Sequence, residues 1–512
     1  MAAIRTLEHL AQSEIISREV NRPLITLKKR RPRILLVTPE LNGGRRIGGE
    51  GQPGPRAKAG GLADVCTLLV DSLSDMGADV HVAMPHFRHM FESRTQFSRK
   101  LHLSQDREFF YRRSVYEGSA ESNRKAALVF QRDVIHHILP KVKPDIVHCH
   151  DWMTGLVPAA AKTMGIRSLF TIHNVHDEKA TLAEIEDRGI DAAGFWQHLH
   201  YSHFPTCYDE TRGSNPVNFM ASAIHAADTV NTVSETFLRE MTEGRHASAW
   251  GIVDVLRAKF AYGEAEGIIN APDDSWSPRQ DDALARSYDS RSHAEGKAVN
   301  KRRLQQLCGL EEDPEAPVLF WPSRLDPVQK GCQLLSDILF KVVSDYMALG
   351  LQVVFVADGP FREHFDRIAD VHGMRNRVGV MPFNDALSRL AFAGSDFVLM
   401  PSAYEPCGLA QMVGLKYGTL PIVHQTGGLK DTVTHLDVAK NLGNGFVFEN
   451  HDCNGLRWAI DEAMRFFIRS APDRDRQVRR IMDESERDFS STKTLESYVK
   501  VYEKLAGRPL FA

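Results

Sequence analysis

The chain has no run approaching the ~18 consecutive apolar residues that a membrane-crossing helix needs. Its seven cysteines are odd in number and scattered, with no C-x-x-C pair, which argues against a disulfide framework and for a reducing compartment. Excess charge of one sign is missing too: 63 basic against 66 acidic residues leave a net charge of −3, a poor basis for a general nucleic-acid binder. The first twenty residues, MAAIRTLEHLAQSEIISREV, carry acids and lack a long apolar centre, so no signal peptide is expected. These absences together point to a cytoplasmic protein without nucleic-acid or membrane partners.

Two nucleotide-binding signatures are also lacking. The first predicted strand, residues 33–38, runs into Pro39-Glu40-Leu41 and a long Gly-rich stretch rather than a tight G-x-G-x-x-G turn. There is no G-x-x-x-x-G-K-[ST] loop either. If a nucleotide binds here, it binds in another way.

What is present is a pattern. Short apolar, β-rich runs alternate with longer amphipathic stretches, which predicts an α/β fold of doubly wound parallel sheets flanked by helices. The predicted strands in the first half are 33–38, 79–84, 144–149, 168–172 and 228–233. Those in the second half are 317–321, 352–356, 377–381, 396–400, 420–423 and 445–448. A chain of 512 residues is too long for one ordinary core, so two domains are expected. The polar, turn-rich residues 271–300 read as a hinge between them. The basic cluster from Lys28 to Arg33 reads as solubilising charge ahead of the first strand.

Several stretches carry chemistry. GGLADV at 60–65 and GGLKDTV at 427–433 both put two glycines and a Leu before an Asp, a junction that lets backbone N–H groups approach an anion. In SRLDPVQKG, Arg324 and Lys330 follow a predicted strand and suit a diphosphate, the alternative being solvated loop charge. In HCHDW, His148 and His150 face the same side of a strand end. No further ligands with suitable spacing accompany them, so no metal site is expected. Asp151 reads as a sugar-hydroxyl acceptor or as a helix cap. His173, in FTIHN, is by itself as compatible with a structural residue. In YEPCGL, Glu405 stands before Pro406 at an expected helix start, where the N–H groups of Cys407, Gly408 and Leu409 would be free donors. A nucleophilic role for Cys407 has a physical basis in such a position, but no paired base is legible.

These stretches, in the order KAGGLADV, HCHDW, TIHN, NTVS, SRLDPVQKG, PSAYEPCGLAQM and TGGLKDTV, resemble those of the bacterial and plastid glycogen/starch synthases. The resemblance covers about residues 33 to 505. It implies the GT-B architecture, in which two Rossmann-like domains face each other across a cleft. The implied boundaries are an N-terminal extension (1–32), an acceptor-side domain (33–295), a nucleotide-sugar domain (296–490) and a terminal helix (491–512) returning to the first domain. It implies retaining transfer of glucose from ADP-glucose to the non-reducing end of an α-1,4-glucan such as glycogen, with no metal and no cofactor. By motif position, Lys58, Gly60 and Gly61 would line the donor diphosphate from one side, and Arg324 and Lys330 would hold it from the other. Asp151, His173 and Asn218 would contact glucose or acceptor. Glu405, Cys407, Gly408 and Leu409 would cradle the sugar and phosphate, and Phe383 would stack on the nucleobase.

The chain departs from the family pattern in places. A Gly/Pro-rich insert separates Glu40 from Lys58 and reads as a mobile flap. Where the family commonly has N-G-x-D before a Trp, this chain has NAPDDSW, with Ala271 and Pro272 altering the hinge; Ala221 replaces a frequent Lys, and the usual tyrosine-containing sequence after TIHN is absent. Two alternatives remain at this level: another retaining GT-B enzyme using UDP-glucose or a small acceptor, or a non-catalytic glucan-binding or regulatory protein on this fold.

Overall fold

Ile34, Leu35, Leu36 and Val37 are all fully buried, the mark of a strand covered on both faces. They form the centre of a seven-stranded sheet in a computed structural model that describes residues 31–48, 52–91 and 97–511. Its strands are β1 (Arg33–Val37), β2 (Asp79–Pro85), β3 (Leu101–Ser104), β4 (Ile146–His150), β5 (Arg167–Ile172), β6 (Thr229–Thr232) and β7 (Ala265–Gly267). They lie in the order 7-6-5-4-1-2-3, and every pairing is parallel.

A second, six-stranded parallel sheet holds β8 (Val318–Trp321), β9 (Gln352–Val356), β10 (Val378–Met381), β11 (Phe397–Met400), β12 (Leu420–His424) and β13 (Phe446–Phe448). Its order is 10-9-8-11-12-13. Each sheet therefore reverses direction once, beside β1 in the first and beside β8 in the second. All eleven strands expected from the sequence are present. The other strands of these two sheets, β3 and β7, are short edge strands with sequences LHLS and AEG, too polar to register as apolar runs.

Six helices bear on the cleft or on the joint between the domains: α1 (Gly61–Asp75), α2 (Glu235–Thr242), α3 (Cys332–Asp345), α4 (Ala410–Lys416), α5 (Gly427–Thr432) and α6 (Ser491–Ala506). The terminal helix α6 buries Tyr498 and Tyr502 within the core of the first sheet, together with Leu495 and Val501. Residues 276–288 lie against the second domain. Tyr288 donates to the Tyr417 carbonyl at 2.8 Å, and Asp281 accepts from the Tyr417 hydroxyl at 2.5 Å. The Arg389 guanidinium stacks on Trp276 at 4.1 Å. The turn-rich segment is thus packed down rather than loose.

The described part of the Gly/Pro-rich insert is a hairpin, Leu41–Asn42 pairing with Arg56–Ala57. Asp71 of α1 accepts from the backbone N–H groups of Arg45 and Arg46 at 3.0 and 2.9 Å, strapping the hairpin to the helix. Residues 49–51 of the insert and Lys28 to Arg30 of the basic cluster lie outside the described residues. Of that cluster, Arg33 pairs with Asp79 at 2.7 Å. Among the described residues, no helix is long and apolar enough to cross a membrane.

Candidate active site

In open parallel sheets, ligands bind outside the carboxyl ends of the strands where the strand order reverses. In the second sheet that point lies between β8 and β11. The loop after β8 carries Arg324 and Lys330, and the loop after β11 carries Glu405. Two hydrogen bonds join the loops: Ala403 N–H donates to the Gln329 carbonyl at 2.8 Å, and Gln329 Nε2 donates to the Tyr404 carbonyl at 3.4 Å. Across this join, Lys330 Nζ donates to Glu405 Oε2 at 2.6 Å, and Ser402 Oγ donates to the same oxygen at 2.9 Å. Both side chains are about nine-tenths buried, at 11% and 8% exposure. Among the described residues, Glu405 Oε1 accepts no hydrogen bond. Arg324 is exposed and makes no hydrogen bond or ion pair among them.

The chain does not turn helical at Pro406 as the sequence suggests. Gly408 sits at φ +69°, breaking the turn, and α4 begins at Ala410 with Leu409 as its uncapped N-terminal residue. Gln411 explains the delay: its Nε2 donates to the Cys407 and Gly408 carbonyls and to Thr432 Oγ1. Cys407 is buried, and burial pushes its thiol up to about 12. It is held as a neutral packing group, so the nucleophilic option for it has no support.

In the first sheet the reversal lies between β1 and β4. Glu40, just after β1, is buried. Its Oε2 accepts from the backbone N–H groups of Ala59 and Gly60 at 2.8 and 3.0 Å. Glu40 therefore fixes the Lys58–Gly61 turn, and its distance in sequence from that turn hid the role. Among the described residues, no side chain caps the N-terminus of α1, where the first-turn N–H groups have no partner within the helix. Lys58 pairs with Asp64 of α1 at 2.7 Å, with 45% of the lysine side chain exposed. A Cβ on Gly61 would stand 3.5 Å from Leu409 Cδ1 of the other domain, so the two glycine-rich turns meet across the cleft.

Asp151, after β4, has φ +57°, a strained value for a non-glycine residue. Its Oδ1 accepts from His173 N–H at 2.7 Å, and Asn174 N–H also donates to the carboxylate. Burial raises its pKa to about 7 despite these bonds, with Glu40 adding like charge. The carboxylate holds the turn after β5 in place rather than standing open.

The histidines divide between roles. His148 is fully buried, bonded to Tyr502 at 2.8 Å and Thr171 at 2.6 Å, so it ties α6 to the sheet. His150 Nδ1 meets His173 Nε2 at 3.0 Å, while His150 Nε2 is buried without a partner among the described residues. Burial lowers the pKa of all three. Among the described residues no group of three or more His, Cys, Asp or Glu side chains is arranged to hold a metal ion.

Asn218 caps the helix Phe219–Ala226 through Ala221 N–H at 2.6 Å and also bonds Asp177. Both ends of its amide are thereby committed. Phe383 is 57% exposed beyond β10, and its N–H donates to Asp358 at 3.3 Å.

The chain matches known proteins along most of its length. A family model described as starch synthase catalytic domain matches residues 33–258, and one described as glycosyl transferases group 1 matches residues 309–469. The chain is 33% identical to a glycogen synthase from Syntrophotalea carbinolica, over 88% of this chain and 96% of that one. The chain belongs to the glycogen and starch synthase family. Another member, from Geobacillus thermodenitrificans, is 30% identical over the same shares of the two chains. The catalytic domain of starch synthase IV from Arabidopsis thaliana, solved bound to ADP and acarbose, superimposes with a TM-score of 0.77 at 26% identity, covering 93% of this chain and all of that one. As a member of this family the protein is a glycosyltransferase of GT-B fold.

Proposed function

We propose that this glycosyltransferase moves glucose from ADP-glucose to the non-reducing end of an α-1,4-glucan, with retention at the anomeric carbon, in the cytoplasm. Residues 33–295 make up the acceptor-side part, with 276–288 packed on the other domain, residues 296–490 hold the nucleotide sugar, and 491–512 return to the first domain. The observation that carries the reading is the buried Lys330–Glu405 pair, set where the second sheet reverses and opposite the glycine turn that opens α1.

Breaking the anomeric bond builds negative charge on the departing diphosphate and positive charge on the sugar. Lys330 and the exposed Arg324 stabilise the first from the second domain, and Lys58 does so from the first. Lys58 is easily recruited, because an exposed pair such as Lys58–Asp64 is worth only about 0–1 kcal/mol. Glu405 keeps Oε1 for sugar hydroxyls while Lys330 and Ser402 hold Oε2. Asp151 fixes the turn that aims the His173 carbonyl at the sugar. Gly60, Gly61, Gly408 and Leu409 line the donor, Cys407 packs behind it, Asn218 shapes the acceptor side and Phe383 offers a face to the base. Front-face attack lets the leaving phosphate take the acceptor's proton, so no carboxylate nucleophile is needed.

Glucosyl transfer to glycogen, measured side by side with ADP-glucose and UDP-glucose, tests the proposal. Faster transfer from ADP-glucose is expected. Transfer from UDP-glucose alone would overturn the donor assignment, and transfer from neither would favour a regulatory protein on the same fold.

A further inference from the structure

The two domains grip each other at a place the transfer chemistry does not use. Helix α2 belongs to the first domain and α5 to the second. Glu240, near the end of α2, is buried, and its carboxylate accepts from Gly427 N–H at 3.1 and 3.2 Å and from Thr426 Oγ1 at 3.2 Å. Asp431, on α5, reciprocates: it accepts from Thr236 N–H at 3.0 Å and Thr236 Oγ1 at 2.5 Å, in the first turn of α2. Each helix thus takes a first-turn acceptor from the other domain, and α2 takes a second from its own N-cap, where Ser234 Oγ accepts from Phe237 N–H at 2.9 Å. N-terminal donors that lack a local partner must find one somewhere, and here neither helix can satisfy all of its own alone.

The joint leads directly to the donor cradle. The residue after Gly427 is Gly428, whose N–H donates to the Glu405 carbonyl at 3.0 Å. His246 Nε2 meets Glu240 Oε2 at 3.1 Å, and its ring packs 5.6 Å from that of Tyr404. Burial alone would raise the Glu240 pKa, but bonds from His246, Gly427 and Thr426 together lower it, so the group is held as an anion. A buried anion bonded to backbone of another domain is costly to leave without its partners.

We propose that Glu240 and Asp431 are positioning residues, reciprocal caps that lock the Glu405 loop onto the first domain in the arrangement needed for transfer. They touch no substrate. They act through α5, whose Gly428 N–H holds the Glu405 carbonyl, so their removal lets the two halves of the site drift apart while each half stays intact. This inference rests on the glucosyl-transfer reading for its kinetic test.

The test uses the full chain with Glu240→Ala, Glu240→Gln, Asp431→Ala and the double alanine variant. Three quantities are read: kcat and KM for ADP-glucose at saturating glycogen, the Kd for ADP by calorimetry, and the radius of gyration by X-ray scattering with ADP present. Glu240→Ala is expected to lower kcat about 30- to 100-fold, the scale of misplacement at a reacting centre, with the ADP Kd changed less than about threefold. Glu240→Gln keeps an acceptor oxygen and recovers kcat to within about fivefold of the wild type. The double variant falls short of the product of the two single effects, because both caps close one joint, and the alanine variants are more expanded with ADP. Normal kcat in Glu240→Ala overturns the proposal, as does a Kd that rises by the same factor as kcat falls, or a Gln variant as impaired as Ala. Should Glu240→Ala fail to fold, Asp431→Asn carries the same measurements. A wild-type protein that transfers from neither ADP-glucose nor UDP-glucose refutes the functional reading instead; unchanged scattering in the variants then still counts against the caps.

Discussion

The two glycine pairs have nearly the same sequence and opposite surroundings. Gly60-Gly61-Leu62 precedes Asp64, and Gly427-Gly428-Leu429 precedes Asp431; each pair opens a helix. A Cβ on Gly60 would meet nothing within 4 Å, and one on Gly61 only Leu409 Cδ1 at 3.5 Å. A Cβ on Gly427, which sits at φ +45°, would lie 2.0 Å from the Glu405 carbonyl oxygen, and one on Gly428 would lie 2.0 Å from that of Cys407. The first pair leaves room beside the first-turn N–H donors of a helix. The second is filled by the chain's own backbone and serves as a seat for the Glu405 loop. A glycine pair marks close approach, and only the neighbours decide whether a ligand or another strand of the same chain approaches.

The comparison breaks most sharply at Gly428. Gly428→Ala forces a methyl group into the Cys407 backbone, and overpacking of this kind should cost about 3 kcal/mol or more of stability. A lowered melting temperature together with transfer reduced to near background is expected. A stable, active Gly428→Ala variant would contradict the account of a filled seat.

The lysines extend the contrast. Removing Lys330 leaves Glu405 buried without its cation, a loss of about 3 kcal/mol for a buried pair. It should also lower kcat/KM by about 10²-fold, the scale of one preorganised charge contact. Lys58→Ala should leave the stability within about 1 kcal/mol of the wild type while still reducing transfer. Thermal melts and donor kinetics on the two variants side by side check this. Equal stability losses in both would erase the distinction between the packed and the open half.

A smaller effect is expected at Gly61. Gly61→Ala meets no clash and should change stability by no more than about 0.5–1 kcal/mol, in the direction of greater helix propensity. The added methyl group occupies space facing Leu409, so a roughly tenfold fall in transfer is expected from a displaced donor. Unchanged kinetics would mean that the first pair faces no ligand. The smallest effect, none, is expected for dialysis against EDTA, since His148 and His150 are already bonded to Tyr502, Thr171 and His173. Activity lost on dialysis and restored by Zn²⁺ or Mn²⁺ would require a metal that these residues do not explain.

Much of the site was legible as local sequence. Arg324, Lys330 and Glu405 stand on the loops that follow the apolar strands β8 and β11, and loops at the carboxyl ends of parallel strands are where ligands bind. Less legible were the second partners of these groups. Asp151 reads as a sugar contact or a helix cap, yet it holds the backbone of His173 and Asn174, because β4 and β5 are neighbours in the sheet. Asn218 reads as an acceptor contact, yet both ends of its amide serve a helix start and Asp177. Glu40 reads only as the edge of an insert. Its role depends on the hairpin that brings Ala59 and Gly60 back to it across that insert.

The sequence by itself determined the central elements: apolar runs of strand length alternating with amphipathic stretches give parallel strands separated by helices, and the motifs after them set the family. It also determined which groups carry charge at the strand ends. The tertiary structure alone decided the pairings, since which loops meet depends on where each sheet reverses and on how the two domains rest against each other. Lys330 finds Glu405, Glu240 finds Gly427 and Tyr502 finds His148 across 75, 187 and 354 residues of chain. No local propensity acts over such separations. They are set by burial, which leaves a polar group in the interior to be satisfied by whichever partner the packing brings within reach.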